Sequence, residues 1–201
     1  MKKTLNELIR IPRMGNSTEL DNVDTNPVNS VQGLIDMITH MGGMGGLNNK
    51  VMVEIGCFTG VSTETFLKFN PKKLYAVDIW GLNDSYTDCD KLPTGRPNFD
   101  LIEELFRKMA KNYDNVEIIK NFSKHASFGF KNKSLDFVYI DGEHSYNAVV
   151  EDIQHWAPKI KPGGYIAGHD GWHNDVVSAV KDALNPCNMR SFKDSSWLVR
   201  I

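Results

Sequence analysis

Four side chains in the second half of the chain have the types and spacing to hold a metal ion or move a proton: Asp141, His144, His169 and Asp170. Asp141 closes the apolar run Leu135–Ile140, and His169-Asp170 closes the run Gly164–Ala167. Carboxylate oxygens from neighbouring strand ends, with room for water, suit Mg2+ or a similar divalent ion. Imidazole suits softer ions such as Mn2+, Fe2+ or Zn2+ better. Asp141 and Asp170 are therefore the firmer ligands, and His169 is a ligand, a neighbour of the ligands or a substrate contact. His144 lies three residues past Asp141, and an imidazole with an ordinary pKa of about 6.5 suits a general base. Glu143 and Asp175 are weaker candidates for a third ligand. Plain structural roles stay open: Asp141 as a helix cap, His144 as a surface histidine, and His169-Asp170 as a structural pair.

A second group of residues lies earlier. Val51–Gly60 reads V-M-V-E-I-G-C-F-T-G, and L-Y-A-V-D follows at Leu74–Asp78. This predicts a buried strand, a glycine turn, a helix and a second strand ending in a carboxylate, the layout of a nucleotide-binding βαβ unit. A nicotinamide fingerprint is G-x-G-x-x-G; here Phe58 stands where the second glycine would fall. Backbone at Phe58 approaches a pyrophosphate less closely than glycine would. Gly56 permits the turn, and Gly60 lets helix and strand pack closely.

These residues need a scaffold that brings strand ends together. Val31–Met41 carries apolar residues at helical spacing, with Ser30 as N-cap and the glycines 42–46 as a link. Strands are then predicted at Val51–Ile55, Leu74–Ile79, Val116–Ile119, Leu135–Ile140 and Gly164–Ala167, the last after the Lys161–Gly164 turn. Helices alternate with them at Val61–Phe69, Phe99–Tyr113, Tyr146–Trp156 and Asn174–Leu184, the second facing inward through Leu101, Leu105 and Met109, with Ile102 and Phe106 as further candidates. Met189–Phe192 and Trp197–Ile201 form a closing hairpin. Alternation predicts an α/β fold, doubly wound and Rossmann-like, with a mostly parallel seven-stranded sheet and an antiparallel C-terminal hairpin. Ligands in such folds bind beyond the carboxyl ends of the strands, where Asp78, Asp141 and His169-Asp170 converge. Residues 1–30 read as an arm or lid with a short helix at Thr4–Ile9, and residues 31–201 as the ligand-binding domain. The long insert Gly81–Pro97, with Trp80, Tyr86, Trp172 and His173 on nearby loops, is a candidate lid over the second ligand or a solvated loop anchored by tryptophan.

Taken together, E-I-G-C-F-T-G at 54–60, V-D at 77–78, Y-I-D-G-E-H at 139–144 and K-P-G-G-Y-I-A-G-H-D at 161–170 resemble the class I S-adenosylmethionine-dependent methyltransferases. The D-G-x-H and G-G-x-I-x-x-H-D patterns are similar to those of the metal-dependent sugar O-methyltransferases of macrolide biosynthesis. The resemblance runs from about Val31 to Ile201 by order of elements. It implies S-adenosylmethionine in a pocket formed by Glu54, Gly56, Cys57, Phe58, Gly60, Asp78, Ile79, Asn121, Phe122, Ser123 and Asp141. Asp78 would hold the ribose hydroxyls, Glu54 would reach the ammonium or methionyl part, and Asn121, Phe122 and Ser123 would frame adenine. It also implies a divalent ion on Asp141, Asp170 and His169, which binds the acceptor oxygen, with His144 as base. Catechol methyltransferases carry lysine at the place of His144 and an Asp-Asn pair at that of His169-Asp170, so this chain departs from them there.

The rest of the sequence narrows the field. The 201 residues carry 23 basic and 25 acidic groups, a net charge of −2 with no basic stripe, which argues against a nucleic-acid partner. Cys57, Cys89 and Cys187 fit neither a zinc pattern nor a disulfide framework, and a reducing cytoplasm is expected. The first 13 residues lack the apolar core of a signal peptide, and no run approaches the ~20 apolar residues that span a bilayer. The expected activity is methyl transfer to a small-molecule hydroxyl, sugar or phenol-like, with a homodimer through the N-terminal arm left open. Rivals are a metal-independent N- or O-methyltransferase, a nicotinamide oxidoreductase, and a nucleotide-binding domain without turnover.

Overall fold

A computed structural model describes residues 27–82, 98–185 and 188–201. Residues 1–26 of the N-terminal arm, with the short helix expected at Thr4–Ile9, and most of the candidate lid lie outside them, while residues 27–30 of the arm begin the first helix. In chain order the elements are α1 (Pro27–Gly42), β1 (Val51–Ile55), α2 (Val61–Lys68), β2 (Lys73–Asp78), α3 (Phe99–Ala110), β3 (Val116–Lys120), α4 (Ser123–Ser127), β4 (Leu135–Ile140), α5 (Tyr146–Trp156), β5 (Ile160–Gly168), α6 (Asn174–Leu184), β6 (Arg190–Ser191) and β7 (Trp197–Arg200). The strands form one sheet in the order β3-β2-β1-β4-β5-β7-β6. β1 to β5 pair in parallel, and β7 runs antiparallel to both β5 and β6. The expected doubly wound sheet with its antiparallel hairpin is present.

Side-chain alternation along the central strands builds two cores. Met52, Phe137 and Tyr139 join Ile38, Phe66 and Phe106 on the face of α1, α2 and α3. Val53, Ile55, Val138 and Ile140 join Val149, Ile153, Val176 and Val180 on the face of α5 and α6. Burial of both faces explains why β1 and β4 read as unbroken apolar runs.

Several expectations are refined. α1 begins at Pro27, so Ser30 lies within it rather than at its cap. In α3 the buried stripe is Ile102, Phe106 and Ala110, while Leu101 and Leu105 are exposed. The helix is rotated so that Phe106 reaches the Trp80 ring, centroids 4.8 Å apart. α4 is an addition to the expected elements, since its five residues carry too little periodicity to announce a helix. β5 begins at Ile160 and carries Lys161–Gly164 as an irregularity against Leu135 and Phe137, with Gly163 at φ +82°.

Candidate functional site

The turn after β1 is held from two sides. Gly56 has φ +80°, and a Cβ there would lie 2.0 Å from the Asp141 carbonyl oxygen. Gly60 has φ +93°, and its missing Cβ leaves room for Met109 and Phe106 of α3. The sequence expectation of close helix–strand packing at Gly60 thus becomes close packing against α3. Between them Phe58 takes φ +47°, with its carbonyl accepting from Trp80 Nε1 at 2.9 Å. Its ring is 52% exposed.

Two carboxylates brace this turn. Asp78 Oδ2 accepts from the Cys57 and Phe58 amides at 2.8 and 2.9 Å, and Oδ1 from the Trp80 amide at 2.8 Å. A carboxylate has about four acceptor sites, so roughly one remains for a ribose hydroxyl. Glu54 is fully buried on the α2 face. It accepts from the Ser62 hydroxyl and from Thr63 Oγ1, the latter at 2.5 Å. Burial pushes its carboxyl up to about 8, against the lowering effect of those two hydroxyls. Cys57 is buried too, and burial raises its thiol well above the ordinary value.

On the β3 side, the Asn121 amide donates to the Asp78 carbonyl at 3.1 Å, which brings 121–123 beside the end of β2. Phe122 is partly exposed and meets the His125 ring edge-on at 5.9 Å. The Ser123 hydroxyl donates to Asp152 and accepts from Trp156 Nε1 at 2.9 Å, so its side chain serves α5. Ile79 is half-buried at the end of β2.

The ends of β4 and β5 gather the second group. His144 Nε2 lies 3.0 Å from Asp170 Oδ2 and 3.8 Å from Asp141 Oδ1. His169 Nδ1 lies 3.3 Å from Asp170 Oδ2 and 3.9 Å from Asp141 Oδ1. Ligand atoms of Asp141, His144 and Asp170 all fall within 4.8 Å of one another. Hydrogen bonds to Asp141 and then Asp170 raise His144 to about 10. His169 rises to about 9: burial opposes the shift, but the bond to Asp170 and the nearby Asp141 charge outweigh it. Asp170 is lowered far below the carboxylate range, because its bonds from His144 and His169 outweigh the opposing effect of burial. Asp141, His144 and Asp170 are close enough to share a divalent cation, so the imidazole in the set is that of His144 rather than the expected His169. Glu143 is exposed and accepts from Ser145 Oγ at 2.7 Å, and Asp175 is exposed on the first turn of α6.

Four supporting side chains lie beyond the sequence reading. Ser62 and Thr63, directly after the glycine turn, are placed by α2 to fold back onto Glu54; two hydroxyls at a helix start one turn past a strand-end acid are a readable signal. Ser195 Oγ approaches His169 Nε2 at 3.4 Å, and Trp197 Nε1 donates to the His169 carbonyl at 3.0 Å. These come from the terminal hairpin, and no local pattern links them to residue 169.

A parallel sheet with a glycine turn after β1, an acid at the end of β2 and this strand order defines a class I methyltransferase fold. The profile of the methyltransferase domain family matches residues 53–171, more than half the chain. The chain belongs to that family. It is similar to an uncharacterized protein, y4gI, of Sinorhizobium fredii, at 32% identity over 72 residues; the match takes in 34% of this chain and only 8% of that relative. Among solved structures, cofactor-bound Rv0187 from MTB has a TM-score of 0.57 at 14% identity, covering 97% of this chain and 85% of that one. A SAM-dependent methyltransferase from Aquifex aeolicus has a TM-score of 0.55 at 14% identity, covering 85% and 91%. Among the described residues no helix is long and apolar enough to cross a membrane.

Proposed function

We propose that this methyltransferase methylates a hydroxyl of a small molecule, sugar or phenol-like, with help from a divalent ion. The observation that carries this is the convergence of Asp141, His144 and Asp170 within 4.8 Å, directly beside the glycine turn through the Gly56–Asp141 contact. S-adenosylmethionine would lie over Gly56, Cys57, Phe58 and Gly60, with Asp78 and Ile79 toward ribose and Asn121 and Phe122 toward adenine. Asp141 and Asp170 would hold Mg2+ or another divalent ion, which when bound acts as a Lewis acid on the acceptor hydroxyl.

The chain's own residues carry the rest. The methyl carbon leaves sulfur, whose electron pair stays behind, and bonds to the acceptor oxygen in line. Alignment dominates because charge is neutralised in that step. His144 Nε2 receives the hydroxyl proton. Asp141 and Asp170 together hold the proton on His144; neutralising either one lowers its affinity for that proton and moves it toward the range of a general base.

Methyl transfer to a panel of hydroxylated compounds, with and without EDTA, tests the reading. Turnover that is undiminished in EDTA removes the ion. Full activity of His144→Ala across pH removes the base. The second reading, a metal-independent N- or O-methyltransferase, is favoured by one observation: His144 already sits 3.0 Å from Asp170, so the imidazoles can balance the carboxylates themselves. The nearly even charge of −2 supports a small acceptor over nucleic acid. A homodimer through the N-terminal arm remains part of the proposal, and sedimentation with and without residues 1–26 tests it.

A further inference from the structure

The loop closing β5 carries an aromatic surface that neither reading uses. Trp172 is 71% exposed, whereas Trp80, Trp156 and Trp197 are fully buried. Its indole is nevertheless fixed at one edge: Nε1 donates to Asp170 Oδ1 at 3.1 Å. The ring also meets His173 nearly edge-on, with centroids 5.7 Å apart and planes at 72°. The other oxygen of Asp170, Oδ2, faces His144 and His169. One carboxylate thus joins the indole edge to the reacting cluster and leaves the indole face open to solvent. An amphipathic ring with its polar tip satisfied and its broad face bare is an arrangement suited to recognition.

We propose that Trp172 is the stacking platform for the methyl acceptor, and that the acceptor is a hydroxylated six-membered ring. The proposal rests on the reading of Asp141, His144 and Asp170 as the acceptor side. A ring lying on the indole presents its edge hydroxyls toward that cluster. Stacking supplies orientation that hydroxyl contacts alone leave loose, and a pinned indole loses little freedom when it is covered. Aryl diols and pyranosides share this chemistry, a flat apolar face with adjacent hydroxyls.

The test is binding to the full chain saturated with S-adenosylhomocysteine, read by saturation-transfer NMR. Catechol and methyl α-mannopyranoside are the two ring probes, and glycerol is the ringless control. At least one ring probe binds wild type, and glycerol does not. Trp172→Ala weakens ring binding by about tenfold, and Trp172→Phe, which keeps a face but loses the N–H, recovers most of it. S-adenosylhomocysteine affinity unchanged in both variants shows that the fold is intact. Which probe responds assigns the source as aryl or sugar. Three outcomes overturn the platform: no ring binds better than glycerol, Trp172→Ala leaves ring binding unchanged, or Trp172→Phe is as weak as Trp172→Ala. The last would mean that Trp172 acts only by orienting Asp170. Ring binding lost in Trp172→Ala, with no methyl transfer to any hydroxyl, removes O-methylation but keeps the platform. Hydroxyl methylation that Trp172→Ala does not weaken does the reverse.

Discussion

At the ends of β1 and β2 the carboxylates are satisfied within the chain: Asp78 by three backbone amides, Glu54 by two buried hydroxyls. At the ends of β4 and β5, Asp141 and Asp170 meet imidazoles and an indole, all of them side chains with solvent access. The first region uses its carboxyl groups to hold the turn and the start of α2 in one shape. The second keeps opposite charges close but loosely compensated, so an incoming cation or hydroxyl can replace one partner with another. A donor that never varies suits the rigid end, and an acceptor that must be deprotonated suits the exchangeable one.

The sharpest way to break this contrast is Gly56→Ala, because Gly56 touches both regions. Its Cβ would fall 2.0 Å from the Asp141 carbonyl at a φ of +80°. We expect a loss of roughly 3 kcal/mol or more in unfolding free energy, with cofactor binding lost as well; denaturant melts and calorimetry with S-adenosylhomocysteine check it. Next in size is Asp170→Asn. Methyl transfer should fall by about a hundredfold or more while S-adenosylhomocysteine affinity stays within about threefold. His144 should titrate lower, since one of the two carboxylates that raise it to about 10 is gone, and NMR of its ring follows that. An equal fall in cofactor affinity would erase the division between the two ends.

Glu54→Gln sharpens the contrast through pH. The Glu54 carboxyl is raised by burial from 4.5 to about 8. The folded protein therefore keeps this proton where the unfolded chain has released it. The stability it contributes is full below about pH 4.5 and is lost as pH rises through about 8. Thermal midpoints measured across that window should decline more steeply for wild type than for Glu54→Gln. The smallest effect is expected at Ser195→Ala, which removes the 3.4 Å contact to His169. Acceptor KM should rise by a few-fold at most, about 1 kcal/mol or less, with cofactor KM unmoved.

How much of this the sequence carries follows from range. β1, β4 and α5 are legible because burial on both faces, or helical spacing, is written in consecutive residues. The glycine turn and Asp78 are legible as a motif. The inward face of α3 is legible only in part: Met109 packs against the core as expected, but Leu101 and Leu105 offer as good a stripe as Ile102, Phe106 and Ala110, and the Trp80 ring decides between them. At the site, Asp141, His144, His169 and Asp170 could be gathered from their strand ends. The engagement of Asp78 by the turn, the diversion of Ser123 to Asp152 and Trp156, and the reach of Ser195 and Trp197 to His169 could not. Each depends on how distant elements pack.

The backbone ladder runs one residue past β1, β4, β5 and β3: Gly56 N donates to Val77 O at 2.9 Å, Asp141 N to Ile55 O at 2.7 Å, His169 N to Ile140 O at 3.1 Å and Asn121 N to Asp78 O at 3.1 Å. Asp141 and His169 therefore sprout from backbone that is still stitched, with Asp170 one residue and His144 three residues beyond it. Neighbouring strands in a sheet stand about 4.8 Å apart, so the gap between donor turn and acceptor cluster is ruled by the sheet itself, like marks on a gauge. On the proposed reading, loops around it can change which molecule enters without changing the distance from the glycine turn to the Asp141–Asp170 cluster.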